Sequence, residues 1–244
     1  MPLFNYYPPK HDTSDPELEK KIFKHSLVFP SLFLLAFWLT FLVETTLDFD
    51  FAVYGIFPLK WEGLKGILFS PFIHSGYKHL AANSAPFFVL SLALFYFYRK
   101  LAYRIFLLIY FLSGLCVWLA GREAWHIGAS GVIYGLASFL FFSGIFRNDT
   151  RLLTIAIIVV FLYGGMFWGM FPLKPEVSWE SHLWGGISGL VLSIFYRRQG
   201  PQRQRYDWEE EEEDEEEEEP LQPGNFYTSD HTGNYFNPKN EKND

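Results

Sequence analysis

Residues 127–146 read IGASGVIYGLASFLFFSGIF, twenty residues without a charged side chain. As a helix, such a run is long enough to cross a hydrocarbon core of about 30 Å, which takes roughly 17–25 residues. Near its start, Gly128-Ala129-Ser130-Gly131 places a hydroxyl group between glycines. Because lipid cannot satisfy a hydroxyl, this stretch indicates either close packing against a second helix or chemistry inside the membrane.

Five further apolar runs accompany this one. Together they predict six membrane-spanning helices, over residues 26–43, 80–98, 105–121, 127–146, 152–173 and 182–196. The period-two alternation of a membrane β-barrel does not occur, so the spans are expected to be helical. The predicted fold is therefore all-α: a polytopic six-helix membrane domain over 26–198, preceded by a cytoplasmic segment, 1–25, and followed by a disordered acidic tail, 199–244.

The net charge of −7 originates in that tail. Residues 209–219 are eleven consecutive acids, and the remainder of the chain carries 20 basic and 16 acidic residues. Blocks of like charge are usually solvated, so we predict no specific partner for the run and no nucleic-acid partner for the chain. Cys116 is the only cysteine, which excludes an intrachain disulfide.

Lysine and arginine residues near the ends of the spans predict the orientation. With both termini in the cytoplasm, twelve of these residues lie on the cytoplasmic side and five on the other. His79, Ser130 and His182 then all lie toward the non-cytoplasmic ends of spans two, four and six. Three polar groups from separate spans at one depth favour a shared site over three unrelated contacts.

The spacing of these groups suits acyl transfer. His79 and Asn83 are four residues apart, so they share a helix face, and both can donate hydrogen bonds while neutral. Alone, the pair could equally hold two helices together. His182 precedes Gly185 and Gly189 on one face, which could pack against the glycines of span four and bring the imidazole within reach of the Ser130 hydroxyl.

Taken together, these motifs make the chain resemble the rhomboid family of intramembrane serine proteases. The resemblance covers roughly residues 64–195. It implies that Ser130 is the nucleophile, that His182 is the general base and then acid, and that His79 and Asn83 form an oxyanion hole with the Ser130 amide. It also implies that Tyr134 packs under the His182 ring and that span five is a mobile gate. The supporting residues of the motifs are His74, Gly128, Gly131, Gly185 and Gly189.

One departure concerns the connection between the first two spans, residues 44–76. The family often carries a Trp-Arg pair there, at about the position of Lys65-Gly66, and its absence puts the anchoring of this loop in doubt. Glycines and Pro58 break the connection too often for it to span, so we predict an interfacial position.

Other protease chemistries fit less well. There is no Asp or Glu between Glu62 and Glu123 or between Glu123 and Asp149, which argues against an intramembrane aspartyl protease. No His-Glu-x-x-His motif occurs, so no metal and no cofactor is predicted. We interpret His74 and His126 as rim residues or hydrogen-bonding partners of the site.

The predicted function is therefore intramembrane proteolysis by a Ser-His dyad. The expected partners are single-span transmembrane protein substrates and membrane lipid, and the expected location is a bacterial inner membrane. A catalytically inactive relative that binds membrane clients is the alternative, although Ser130 and His182 are both retained. A proton-relaying transporter is disfavoured by the missing carboxylates and by the lack of an inverted repeat.

Overall fold

The computed structural model describes residues 16–147, 150–173 and 177–201, and the backbone of two short strands. The strands, β1 (Thr228–Ser229) and β2 (Tyr235–Phe236), pair antiparallel with Thr228 opposite Phe236. They belong to a separate compact unit, residues 204–244. The acidic run at 209–219 lies outside the described residues.

The described residues before this unit form eight α-helices. They are α1 (Pro16–Leu47), α2 (Trp61–Leu64), α3 (Gly66–Phe69), α4 (Tyr77–Phe97), α5 (Ala102–Ala120), α6 (Ser130–Arg147), α7 (Thr150–Tyr163) and α8 (Trp179–Phe195). Three 3-10 helices add to them, at Phe51–Tyr54, Ser70–Phe72 and Gly164–Met170. The predicted all-helical class of the membrane domain is confirmed.

Four of these helices, α1, α4, α5 and α6, are long and apolar enough to cross a membrane. The 14 residues of α7 extend about 21 Å and the 17 residues of α8 about 26 Å, because a helix rises 1.5 Å per residue. Both fall short of a hydrocarbon core of about 30 Å, although the 3-10 helix Gly164–Met170 continues α7. The count of six spans therefore stays a prediction.

Helix α6 lies at the centre of the bundle, where it contacts α4, α5, α7 and α8. In the most apolar stretch of α6, 61% of the residues are buried. The corresponding share in α1, which packs mainly on α4, is 17%. Small residues make this central position possible, because Gly131, Gly135 and Gly144 leave room for neighbouring backbones.

The connection between α1 and α4 is folded into short helices and is held by backbone contacts. Ile56 and His126 exchange two backbone hydrogen bonds, of 2.9 and 2.8 Å. A Cβ on Gly66 would overlap the Gly55 carbonyl, so these two turns are in direct contact. The Lys65 ammonium lies 4.5 Å from the centre of the Tyr54 ring. The loop is thus anchored without the Trp-Arg pair.

Candidate active site

Two glycines bring α6 and α8 into backbone contact at the non-polar centre of the bundle. A Cβ on Gly185 would overlap the Gly131 carbonyl oxygen, and a Cβ on Gly189 would overlap that of Gly135. Contacts this close require glycine at 185 and 189, because a side chain there would occupy the position of the facing carbonyl oxygen. The predicted packing of the His182 helix on the Ser130 helix is therefore present.

Ser130 is the first residue of α6, and its side chain is buried, with 8% exposure. The preceding Gly128 has a φ of +102°, a left-handed conformation that favours glycine, and its amide donates to the Ser70 carbonyl at 2.8 Å. After this sharp turn, α6 begins at Ser130. The Ser130 amide consequently lies among the helix N-terminal N–H groups that have no partner within the helix.

The imidazole of His182 is held on two sides. Its ring lies flat on the Tyr134 ring, with centroids 4.2 Å apart and 6° between the planes. Nδ1 lies 2.8 Å from the Gly169 carbonyl oxygen. A carbonyl only accepts, so Nδ1 carries the proton and Nε2 keeps the free lone pair of a base.

Tyr134 lies on the same helix as Ser130 and stacks on this imidazole. The two residues are four positions apart on α6 and therefore share one face of the helix. The face that begins with Ser130 is thus the one on which the His182 ring lies. Within the described residues, no hydrogen bond joins the Ser130 hydroxyl to His182. The structure places the two groups on facing helices without closing the hydrogen bond between them.

His79 and Asn83, on α4, face the turn before Ser130. A Cβ on Gly128 would lie 2.8 Å from His79 Nε2 and 3.6 Å from Asn83 Nδ2, so both nitrogens point at this backbone. Asn83 Nδ2 is buried and has no hydrogen-bond partner among the described residues. Buried donors are nearly always paired in folded proteins, so an unpaired amide beside the turn that leads into Ser130 is unusual.

His74 lies behind His79, in the segment between the 3-10 helix Ser70–Phe72 and α4. Its ring centroid is 5.1 Å from that of His79, and Nδ1 lies 3.3 Å from the Phe72 carbonyl. Burial, and secondarily the proximity of His79, lower the pKa of His74 to about 4. A neutral His74 therefore packs against the His79 ring.

Sequence reasoning missed the Gly169 carbonyl, because a backbone acceptor leaves no signal in side-chain identity. Gly169 itself was a possible signal, since a Cβ there would overlap the Tyr134 hydroxyl and lie 3.0 Å from His182 Nδ1. No group of three or more His, Cys, Asp or Glu side chains that could hold a metal ion occurs in the part of the chain that the structure describes.

Known proteins share this domain. The family model of the rhomboid domain matches residues 61–199. Uncharacterized proteins of Mycobacterium tuberculosis and Mycobacterium bovis are each 35% identical over 161 residues, covering 62% of this chain and 66% of theirs. A Bacillus subtilis protein named as a candidate rhomboid protease is 29% identical over 137 residues, covering 50% of this chain and 62% of its own.

The chain thus spans just under two thirds of the length of these mycobacterial relatives. The range matched by the family model runs from α2 to the end of α8 and contains Ser130, His182 and the residues around them. Because that range is more than half of the 244 residues, the chain belongs to the rhomboid family.

Proposed function

We propose that this multi-pass membrane protein is an intramembrane serine endopeptidase, with Ser130 as nucleophile and His182 as base. The observation that carries the proposal is the orientation of the imidazole. The Gly169 carbonyl accepts the Nδ1 proton, and the Tyr134 ring stacks on the imidazole. Nε2 is therefore free, on the helix face that begins with Ser130. Family membership supports the same reaction class.

In the proposed reaction the Ser130 hydroxyl attacks the carbonyl carbon of the scissile peptide while His182 Nε2 takes its proton. The resulting imidazolium then gives that proton to the leaving amine. Water, activated by the same imidazole, hydrolyses the acyl-enzyme and frees Ser130. No carboxylate is required to orient the base, because the Gly169 carbonyl fixes the tautomer that Asp fixes in a triad.

The oxyanion of each tetrahedral intermediate would be bound where α6 begins. The N-terminal amides of a helix are unpaired and carry the positive end of its dipole, so they favour a developing negative charge. His79 and the unpaired Asn83 amide add side-chain donors from α4. Removing one such donor typically reduces kcat by about 100-fold or more.

The substrates would be single-span membrane proteins, cut within or near the membrane-spanning segment on the non-cytoplasmic side. Unwinding a helix in lipid exposes unpaired backbone groups, so segments with Gly, Ala or Pro near the cut are favoured. By family resemblance, a small residue precedes the scissile bond and the substrate enters past α7. We place the protein in a bacterial inner membrane with both termini cytoplasmic, on the asymmetry of lysine and arginine.

The test is cleavage of a model single-span substrate by the full-length protein reconstituted in vesicles. Ser130→Ala and His182→Ala are expected to lower kcat by at least about 1,000-fold, since each removes a member of the dyad. The matched controls are Ser188→Ala, whose hydroxyl bonds only within α8 to Trp184, and His25→Ala on the exposed face of α1.

Both controls are expected to cut at the wild-type rate. If Ser130→Ala also cuts at that rate, the nucleophile lies elsewhere. If the wild type binds the substrate without cutting it, the chain is an inactive relative that retains membrane clients, and the proposal is wrong.

A further inference from the structure

We propose that Arg122 and His126, in the loop between α5 and α6, are positioning residues that hold the first turn of α8 and thereby set His182 against α6. This inference rests on the proposed function, because the position of His182 matters to a reaction only if His182 is the base. The loop is held in place, contacts α8, and reaches to within one residue of His182.

The loop is rigid at His126. Its backbone pairs with Ile56 on both sides, and its side chain is buried, with 2% exposure. Nε2 lies 3.1 Å from the Arg122 carbonyl, which can only accept, so Nε2 carries the proton. Burial lowers the pKa of His126, which keeps the ring neutral and leaves Nδ1 as an acceptor.

That acceptor is used by the residue that precedes α8. The Ser178 hydroxyl lies 2.5 Å from His126 Nδ1 and therefore donates to it. The Ser181 hydroxyl lies 2.7 Å from Ser178 Oγ and continues the chain of hydrogen bonds one turn along the helix. A neutral imidazole with a fixed tautomer thus ties the start of α8 to the loop.

Arg122 holds the same turn with its guanidinium. Nη2 donates to the Val177 carbonyl at 3.0 Å, and Nη1 lies 3.4 Å from Glu180 Oε2. The Glu180 side chain is 4% exposed, and its Oε2 accepts no hydrogen bond among the described residues. A buried carboxylate is costly unless a cation compensates it, so Glu180 depends on Arg122.

These contacts end one residue before His182. The Ser181 carbonyl lies 3.2 Å from where a Cβ on Gly131 would be, so this turn also touches the residue after Ser130. A shift of 177–181 therefore moves His182 relative to the start of α6. Misplacing a catalytic group by about 1 Å can cost about 100-fold in rate.

The experiment compares Arg122→Gln, Glu180→Gln and the double variant in the full-length reconstituted protein. Each single change is expected to lower kcat about tenfold while KM stays within about twofold, because substrate still binds but the base is displaced. The double variant is expected to be no slower than the slower single one, since it removes the buried charge together with its partner. Arg122→Lys, which keeps the charge, is expected to recover part of the rate.

The matched control is a second Arg-Glu pair at the opposite end of the molecule. Arg99 Nη2 and Glu19 Oε1 are 3.3 Å apart, on the face that we assign to the cytoplasm. Arg99→Gln and Glu19→Gln are expected to leave kcat within about twofold, because exposed ion pairs contribute little. The inference would be overturned if the Arg99 and Glu19 variants lost as much kcat as the Arg122 and Glu180 variants. Additive losses of kcat in the double variant, or wild-type kcat in Arg122→Gln, would also overturn it.

A second measurement separates this inference from the proposed function. Amide hydrogen exchange over 177–183 is expected to be faster in Glu180→Gln and His126→Phe than in the wild type and the Arg99 control, whether or not the protein cuts a substrate. Unchanged exchange would mean that the loop does not hold α8. If the wild type does not cut the substrate but exchange is faster in these variants, the proposed protease activity is wrong and the contact between the loop and α8 is supported.

Discussion

The bundle contains two helix interfaces built on opposite principles. Between α6 and α8, glycine faces glycine, and carbonyl oxygens lie where side chains would otherwise be. Between α1 and the α4–α5 pair, aromatic rings fill the space. Phe29 stacks on Phe95 with centroids 4.6 Å apart and meets Phe106 edge-on at 4.8 Å.

The difference follows from what each interface must do. Rings contribute large contact areas and tolerate small displacements, so they suit a contact whose purpose is to hold helices together. Backbone-to-backbone contact fixes the separation of two helices because nothing between them can adjust. It therefore suits the interface that carries Ser130 on one helix and His182 on the other.

Of the changes to these two interfaces, adding one methyl group to the glycine interface is expected to have the largest effect. In Gly185→Ala the new Cβ would overlap the Gly131 carbonyl, so α8 must move away from α6. We expect cleavage of the model substrate to fall by at least about 100-fold, since His182 moves with its helix.

The matched control for this change is the next residue along α8. Gly186→Ala adds the same methyl group where the nearest atom is Met170 Sδ at 3.4 Å, an ordinary van der Waals distance. Equal activity in the two variants would show that the close contact does not set the position of His182 relative to Ser130.

A smaller effect, of a different kind, is expected in the aromatic interface. Phe95→Ala removes a ring that is 96% buried and opens a cavity, which typically costs about 3 kcal/mol in the free energy of unfolding. The midpoint temperature should fall while kcat at low temperature stays near that of the wild type. Val89→Ala, at an exposed position on the same helix, is the control. A large loss of kcat in the folded Phe95 variant would mean that the two interfaces are not independent.

The smallest expected effect arises at His74, which lies between Phe37 of the aromatic interface and His79 of the candidate site. Its ring centroid lies 5.4 Å from that of Phe37 and 5.1 Å from that of His79. Burial lowers the pKa of His74 from 6.5 to about 4. Between these two pH values the imidazole is protonated in the unfolded chain and neutral in the folded protein. Titration of His74 therefore leaves the free energy of unfolding unchanged above pH 6.5. As the pH falls from 6.5 toward 4, it lowers that free energy by about 1.4 kcal/mol per pH unit.

This effect is measured as the free energy of unfolding in detergent at pH 7 and pH 5. The wild type should lose about 2 kcal/mol more than His74→Asn over that interval. Identical losses in the two proteins would show that His74 does not titrate on unfolding.

Sequence reasoning succeeded where a residue type is needed for a local reason. The uncharged runs identify the long helices, and the i, i+4 and i, i+7 spacings place His79, Asn83, Gly185 and Gly189 on the faces they occupy. It was less informative at helix ends, because apolar composition continues beyond the hydrogen-bonded turns. Span five, predicted over 152–173, is a 14-residue α-helix that passes into a 3-10 segment. His126 could be placed near the site, but its partner Ser178 could not.

Residue chemistry and spacing along the chain were therefore determined by the sequence alone: a helical membrane domain, a serine between glycines, and imidazoles and an amide toward one end of three separate helices. Only the tertiary structure decided how these groups face one another. The tautomer of His182 depends on a carbonyl 13 residues away, and the start of α8 depends on a hydrogen bond spanning 52 residues. Contacts of this kind join groups by their positions in space, and neither periodicity nor composition records which backbone oxygen a folded chain will bring to a given ring.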